Sequence, residues 1–112
     1  MNNIINIRNS KSISTTGTSL VGHLSASYDE LVNLFGEPTY FDKSADNKVT
    51  TEWTLEFETT NNSKPYVIGT IYDWKTYDYN VCRDGVYNWH VGGLSADAID
   101  SIDTVRASGW EK

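Results

Sequence analysis

The side chains best suited to chemistry lie in two short segments. Thr70-Ile71-Tyr72-Asp73-Trp74-Lys75 and Trp89-His90-Val91-Gly92-Gly93-Leu94-Ser95 hold two of the four tryptophans, one of the two histidines and the only Gly-Gly pair. Two glycines between a strand and a helix let a ligand approach bare backbone. Free N–H groups in the first turn of that helix, capped by Ser95, attract phosphate or carboxylate. His90 can donate to the same anion. Tyr72 and Trp74 share one strand face by the period of two, so the pair can stack on a purine or on a partner's side chain. Lys75 and Arg83 stand near enough in sequence to neutralise phosphate. The candidate ligand-binding set is therefore Tyr72, Trp74, Lys75, Arg83, Trp89, His90, Gly92, Gly93 and Ser95.

Packing competes with binding at each position. The glycine pair also fits a strand-to-helix turn needing positive φ, with Trp89 in the core. Tyr72 and Trp74 also fit the inner face of a sheet. Tyr77, Tyr79 and Tyr87, in the loop between the segments, give large contact area at low entropy cost, or they pack down over the sheet. If the two segments form a pocket, the glycine junction is its floor and the tyrosine loop its wall.

Catalytic arrangements are weaker. Cys82 is the only cysteine, and Asp78 and Asp84 beside it would raise a thiol pKa rather than lower it. A phosphodiesterase using His90 as general acid or base is the enzymatic alternative to simple binding. His23 and His90 lack the His-x-His or His-Glu-x-x-His spacing of a metal site, so no metal or cofactor is expected.

At 112 residues the chain holds one domain at most. Its net charge of -6 argues against nucleic acids and anionic membranes, which select basic surfaces. The acids are spread along strands and helices, as solvated faces are, and leave an acidic surface for a basic partner. A single cysteine excludes an internal disulfide and fits a reducing compartment. No apolar run approaches the roughly 20 residues of a membrane span, and the N-terminus lacks the apolar core of a signal peptide. The expected location is the cytoplasm.

These residues need a scaffold. Residues 1–18 read as an N-terminal arm, flexible or strand-pairing, with a short strand over Asn2 to Arg8. Residues 19–112 read as a single α+β domain. Leu20 to Leu24 is a short strand. Ser27 and Glu30 have capping-box spacing, Tyr28, Leu31, Val32, Leu34 and Phe35 form an apolar stripe, and Gly36 with Pro38 stops the helix. Val49 to Glu58 alternates: Trp53, Leu55 and Phe57 point one way, Glu52, Glu56 and Glu58 the other. Asn61 to Pro65 turns the chain into a second strand, Tyr66 to Trp74. Asn88 to Val91 is a third short run. A last helix covers Ala96 to Ala107, ended by Gly109. The expected order is β-α-β-β-β-α, an antiparallel sheet of about four strands with two helices packed on one face.

The pattern Tyr28-Asp29-Glu30-Leu31-Val32, Phe35-Gly36-Glu37-Pro38, Thr70-Ile71-Tyr72-Asp73-Trp74-Lys75 and Trp89-His90-Val91-Gly92-Gly93 resembles a group of small bacteriophage and prophage accessory proteins, over roughly residues 20–105. The resemblance implies a phage-encoded protein acting in the host bacterial cytoplasm, with counter-defence as its setting. One expectation is a homo-oligomer that binds and sequesters a nucleotide-derived immune signal, a cyclic oligonucleotide or an ADP-ribose derivative, without cleaving it. A second is a protein–protein inhibitor of a host defence protein, like anti-CRISPR proteins, using the acidic strand face and the tyrosine loop. A third is a structural or regulatory accessory protein.

Overall fold

A computed structural model of the chain describes residues 3–44 and 46–108. The elements are β1 (Ile4–Asn9), β2 (Ser19–Ser27), α1 (Tyr28–Phe35), β3 (Tyr40–Phe41), β4 (Thr51–Thr59), β5 (Tyr66–Tyr72), a single 3-10 turn (Val81–Arg83), β6 (Val86–Gly93) and α2 (Asp97–Ser108). One antiparallel sheet runs in the order β1-β4-β5-β6-β2, and the two-residue β3 continues the β1 edge of β4. The α+β class with two helices is as expected, but the sheet has six strands rather than about four. The additional two are β1, the short strand expected in the N-terminal arm, which pairs with β4 and so joins the main sheet, and β3, too short to leave a pattern. Asn2 and Gly109, expected at the ends of elements, lie outside the described residues.

Alternation in β4 sets the core. Trp53, Leu55 and Phe57 are fully buried on the helix side, and Trp53 continues across the sheet to Ile71 and Val91. Both core indoles find acceptors, as buried Trp N–H groups require: Trp53 Nε1 donates to Gly36 O at 2.9 Å and Trp89 Nε1 to Ala26 O at 3.0 Å.

Helix α1 forms where its signals lie. Ser27 Oγ accepts the Glu30 N–H at 3.1 Å, and Gly36, at φ 87°, closes the helix by donating to Val32 O at 2.8 Å. Phe35 meets Phe57 edge-on at 6.2 Å. Glu30 takes a different partner from the one its spacing suggests. Its carboxylate receives Arg106 of α2, Nε to Oε2 at 2.9 Å, and so ties the two helices together. Helix α2 begins at Asp97, where Ser95 Oγ accepts the Asp97 N–H at 3.2 Å, and it lies so close to the sheet that a Cβ on Gly93 would meet Ala98 Cβ at 2.6 Å.

The helices leave the other sheet face uncovered, and the N-terminal connection crosses it. Strands β1 and β2 occupy opposite edges, so residues 10–18 must traverse the sheet. Four strand spacings of about 4.8 Å make roughly 19 Å, well within the ~30 Å reach of nine extended residues. Thr15 and Thr18 accordingly line a cleft with Glu52, Thr70 and Tyr72 of the helix-free face. Thr54 and Thr70, on that same face, are buried, and Ile13 is 6% exposed outside the main hydrophobic cluster. Residues 10–18 thus form a strap over the sheet. Among the described residues, no helix is long and apolar enough to cross a membrane.

Candidate functional site beneath the strap

Cross-strand register on the helix-free face aligns Tyr40, Glu52, Tyr72, His90 and His23 in one row across β3, β4, β5, β6 and β2. The His23 and His90 rings meet at 4.7 Å, Tyr72 lies 5.5 Å from His90, and Trp74 lies 6.2 Å from His90 and 6.3 Å from Tyr72. Trp74 is 40% exposed. The ammonium groups of Lys48 and Lys75 lie 5.8 and 5.9 Å from its ring centre, at the outer limit of a cation–π contact. Beside this cluster is a cleft of about 250 Å³, with Thr70 and Gly92 among its floor residues, Glu52, Tyr72 and Trp74 on one side, and Thr15, Thr18 and Ser19 of the strap side on the other.

The electrostatics of the row follow from partial burial. Burial raises the Glu52 pKa above the ordinary carboxylate value, opposed by a hydrogen bond from Thr54 and reinforced by the charge of Asp73. Burial, with Glu52 next to it, likewise raises the Tyr72 phenol. His90 is lowered by burial first and by His23 second. His90 Nδ1 is buried without a hydrogen-bond partner among the described residues. The neutral tautomer carrying its proton on Nε2 leaves only a lone pair unmet there, whereas protonation would strand an N–H.

Trp74 is held in place by a residue with no obvious motif. Asp73 is fully buried and accepts four hydrogen bonds: Thr50 N–H at 2.7 Å, Thr50 Oγ1 at 2.6 Å, Thr51 N–H at 3.0 Å and Thr76 Oγ1 at 2.7 Å. The carboxylate clamps the start of β4 to the loop after β5 and ends that strand at Tyr72. Lys75 and Tyr77 in this loop adopt positive φ, 56° and 53°.

The structure divides the expected set. Tyr72, Trp74, Lys75, His90 and Gly92 gather on the strap face. Trp89 does not join them: it is fully buried under the helices, 5.3 Å from Trp53 and 5.0 Å from Tyr87, and has no face for a ligand. Arg83 is stacked among Tyr28 (4.3 Å), Phe41 (4.5 Å) and Tyr79 (5.2 Å), and donates to Thr51 Oγ1 and Tyr79 O. The expected glycine–helix anion cradle is not formed. Gly92 and Gly93 lie inside β6, paired with β5 on one side and β2 on the other, and α2 starts only at Asp97 with Asp97 and Asp100 in its first turn. Ser95 serves α2 instead. Cys82 is buried, which raises its thiol pKa.

The tyrosine loop also divides. Tyr79 packs on Phe41, and Tyr87 packs on Trp89 while its hydroxyl accepts the Trp74 N–H at 3.5 Å; only Tyr77 is largely exposed. The wall of the cleft is the strap, not this loop. Glu52, Lys48, His23 and the strap hydroxyls belong to the site but were not singled out from sequence. A lone histidine in the otherwise uncharged run Ser19–Ser27 was the one available signal for His23.

A larger groove, about 860 Å³, runs along α2 on the helix side, between Asp97, Asp100 and Thr104 and the strand residues Ile4, Thr59 and Val67. Its one lining cation, Lys64, is paired with Asp97 at 2.6 Å, and it has no aromatic lining among the described residues. The strap cleft has the richer chemistry despite its smaller volume. Among the described residues, no group of three or more His, Cys, Asp and Glu is placed to hold a metal ion. Comparisons with protein-family profiles, curated proteins and solved structures returned no match.

Proposed function

We propose that this chain is a binding protein that holds a nucleotide-derived small molecule at the strap cleft without cleaving it. The observation carrying this reading is the exposed Trp74 indole, bracketed by Lys48 and Lys75 at the edge of a cleft lined by hydroxyls and one carboxylate. A base stacks on an indole face, two ammonium groups meet its phosphates, and the cleft offers hydrogen-bond partners. The cleft is smaller than the roughly 300–1,000 Å³ of pockets that enclose a whole ligand, so it suits one ring system with the sugar and phosphate outside. Binding is favoured over catalysis because Cys82 is buried and His90 Nδ1 has no orienting hydrogen-bond partner among the described residues.

In the phage setting implied by the resemblance, such binding sequesters an immune signal in the host cytoplasm. A homo-oligomer would close the open side of the cleft, and β2, an edge strand of the sheet among the described residues, offers a pairing strand. Calorimetry with cyclic dinucleotides, cyclic trinucleotides and ADP-ribose tests the reading. Saturable binding, with the ligand recovered unchanged after heating, supports it. Conversion to a new product would establish an enzyme, and silence across the panel would end the proposal. A second reading, an inhibitor of a host defence protein, draws on the acidic α2 groove rather than on the strand face, where Arg8 already pairs with Glu56 at 3.2 Å. A stoichiometric protein partner recovered from host lysate would favour it.

A further inference from the structure

Glu52 has a chemistry that stacking and phosphate contacts leave unused. It lines the cleft as the direct cross-strand neighbour of Tyr72, beside Trp74. Among the described residues its carboxylate receives one long hydrogen bond, from Thr54 Oγ1 to Oε2 at 3.3 Å. An ionised carboxylate has about four acceptor sites, so most of its capacity is not used by donors of the chain among the described residues. Among the described residues no lysine or arginine is paired with it; Arg8 is taken by Glu56 and Lys64 by Asp97. A half-buried acceptor without a cation is costly by itself and is best relieved by N–H donors on a ligand.

We propose that Glu52 makes the cleft selective for guanine among the bases. This rests on the nucleotide-binding reading above and names its ligand class. A ring stacked on Trp74 would turn one edge toward Glu52. Guanine alone among the common bases presents two adjacent N–H donors, at N1 and the 2-amino group, and these match the two oxygens of a carboxylate side by side. Adenine offers its 6-amino group beside the bare N1 lone pair, which faces the second oxygen with repulsion. The hydroxyls of Thr15 and Thr70 can donate or accept and so impose no preference of their own, while Thr18 Oγ1 already donates to Thr15 O at 2.7 Å and is left as an acceptor.

The test is titration of the full chain with guanosine 5′-monophosphate, adenosine 5′-monophosphate and ribose 5-phosphate, read by calorimetry. The expected result is that the guanine nucleotide binds at least about tenfold more tightly than the adenine nucleotide, the weight of one bidentate contact. Glu52→Gln should close or reverse this gap: its amide keeps one acceptor for guanine's two N–H donors, but can donate to adenine N1 while accepting from the 6-amino group, so the guanine nucleotide weakens and the adenine nucleotide tightens. Glu52→Asp, which shortens the reach but keeps the charge, should lose guanine affinity as well. A thermal melt of each variant shows that the fold is kept. Equal affinity of the wild type for both nucleotides would overturn the guanine assignment and leave the nucleotide reading standing. Failure of both nucleotides to bind would overturn the two together.

Discussion

Glu52 and Tyr72 are direct partners across β4 and β5, a carboxylate beside a phenol on the strap face; burial raises the pKa of both, and the Glu52 charge adds to the rise at Tyr72. A carboxyl whose folded pKa lies above its unfolded value of 4.5 binds protons more tightly in the folded state. Stability therefore falls as pH rises from 4.5 through that raised value, and the penalty is complete above it. Glu52→Gln should melt at a higher temperature than the wild type at pH 7. The difference should shrink as pH falls through 4.5 and be nearly gone at pH 4, where the carboxyl is mostly protonated in both states. Thermal melts at the two pH values check this, and a lower melting point for the variant at pH 7 would contradict it. A residue that costs stability where it stands is a common mark of a binding site.

His90 has the opposite sign. Its folded pKa lies below the ordinary imidazole value of 6.5, so the unfolded chain takes up the proton first. Stability should fall as pH drops below 6.5 and continue to fall until the lowered folded pKa is passed. Glu52 acts the other way toward lower pH, so the two contributions must be separated by variants. His90→Gln should flatten the decline between pH 6.5 and 5 relative to the wild type, measured by chemical denaturation. Identical slopes would show that another group is responsible.

Asp73 is the clamp on which the position of Trp74 depends. Asp73→Ala leaves two backbone N–H groups and two hydroxyls without their acceptor in a buried setting. Charged hydrogen bonds contribute about 1.5–3 kcal/mol each and are not additive, so a loss of at least ~3 kcal/mol in urea unfolding is expected. Asp73→Asn keeps one acceptor oxygen and should lose less.

The two tryptophans of the chemically rich segments should separate in experiment. Trp89→Ala empties the centre of the core beside Trp53 and should cost about 3–5 kcal/mol. Trp74→Ala removes an exposed ring and should change stability by less than ~1 kcal/mol while abolishing ligand binding. Denaturation and calorimetry on the same two variants give both readouts. Strong destabilisation by Trp74→Ala would make it a packing residue.

Local signals carried much of the scaffold. Ser27, Gly36 and Pro38 bracket α1, and the alternation through Trp53, Leu55 and Phe57 marks both the strand and its buried side, because these effects act within a few residues. The site was less legible. Gly92 and Gly93 before a helix read alike whether the ladder ends ahead of them or runs through them, and pairing with both β5 and β2 decides that. Gly93 is glycine because α2 packs against it at Ala98, a contact set by tertiary structure. The strap is a Ser/Thr-rich run without periodicity, and its place follows only from β1 and β2 falling on opposite edges. His23 joins His90 through a register between distant strands.

The central claim is that the strap face, and not the α2 groove, takes a nucleotide. Amide and indole NMR shifts of the isotopically labelled chain, followed during titration with guanosine 5′-monophosphate, address it directly. The expected perturbations fall on the Trp74 indole, Tyr72, Gly92 and Thr15 to Thr18, and saturate together. Perturbations confined to Asp97 through Thr104, or a spectrum that does not change, would contradict the account.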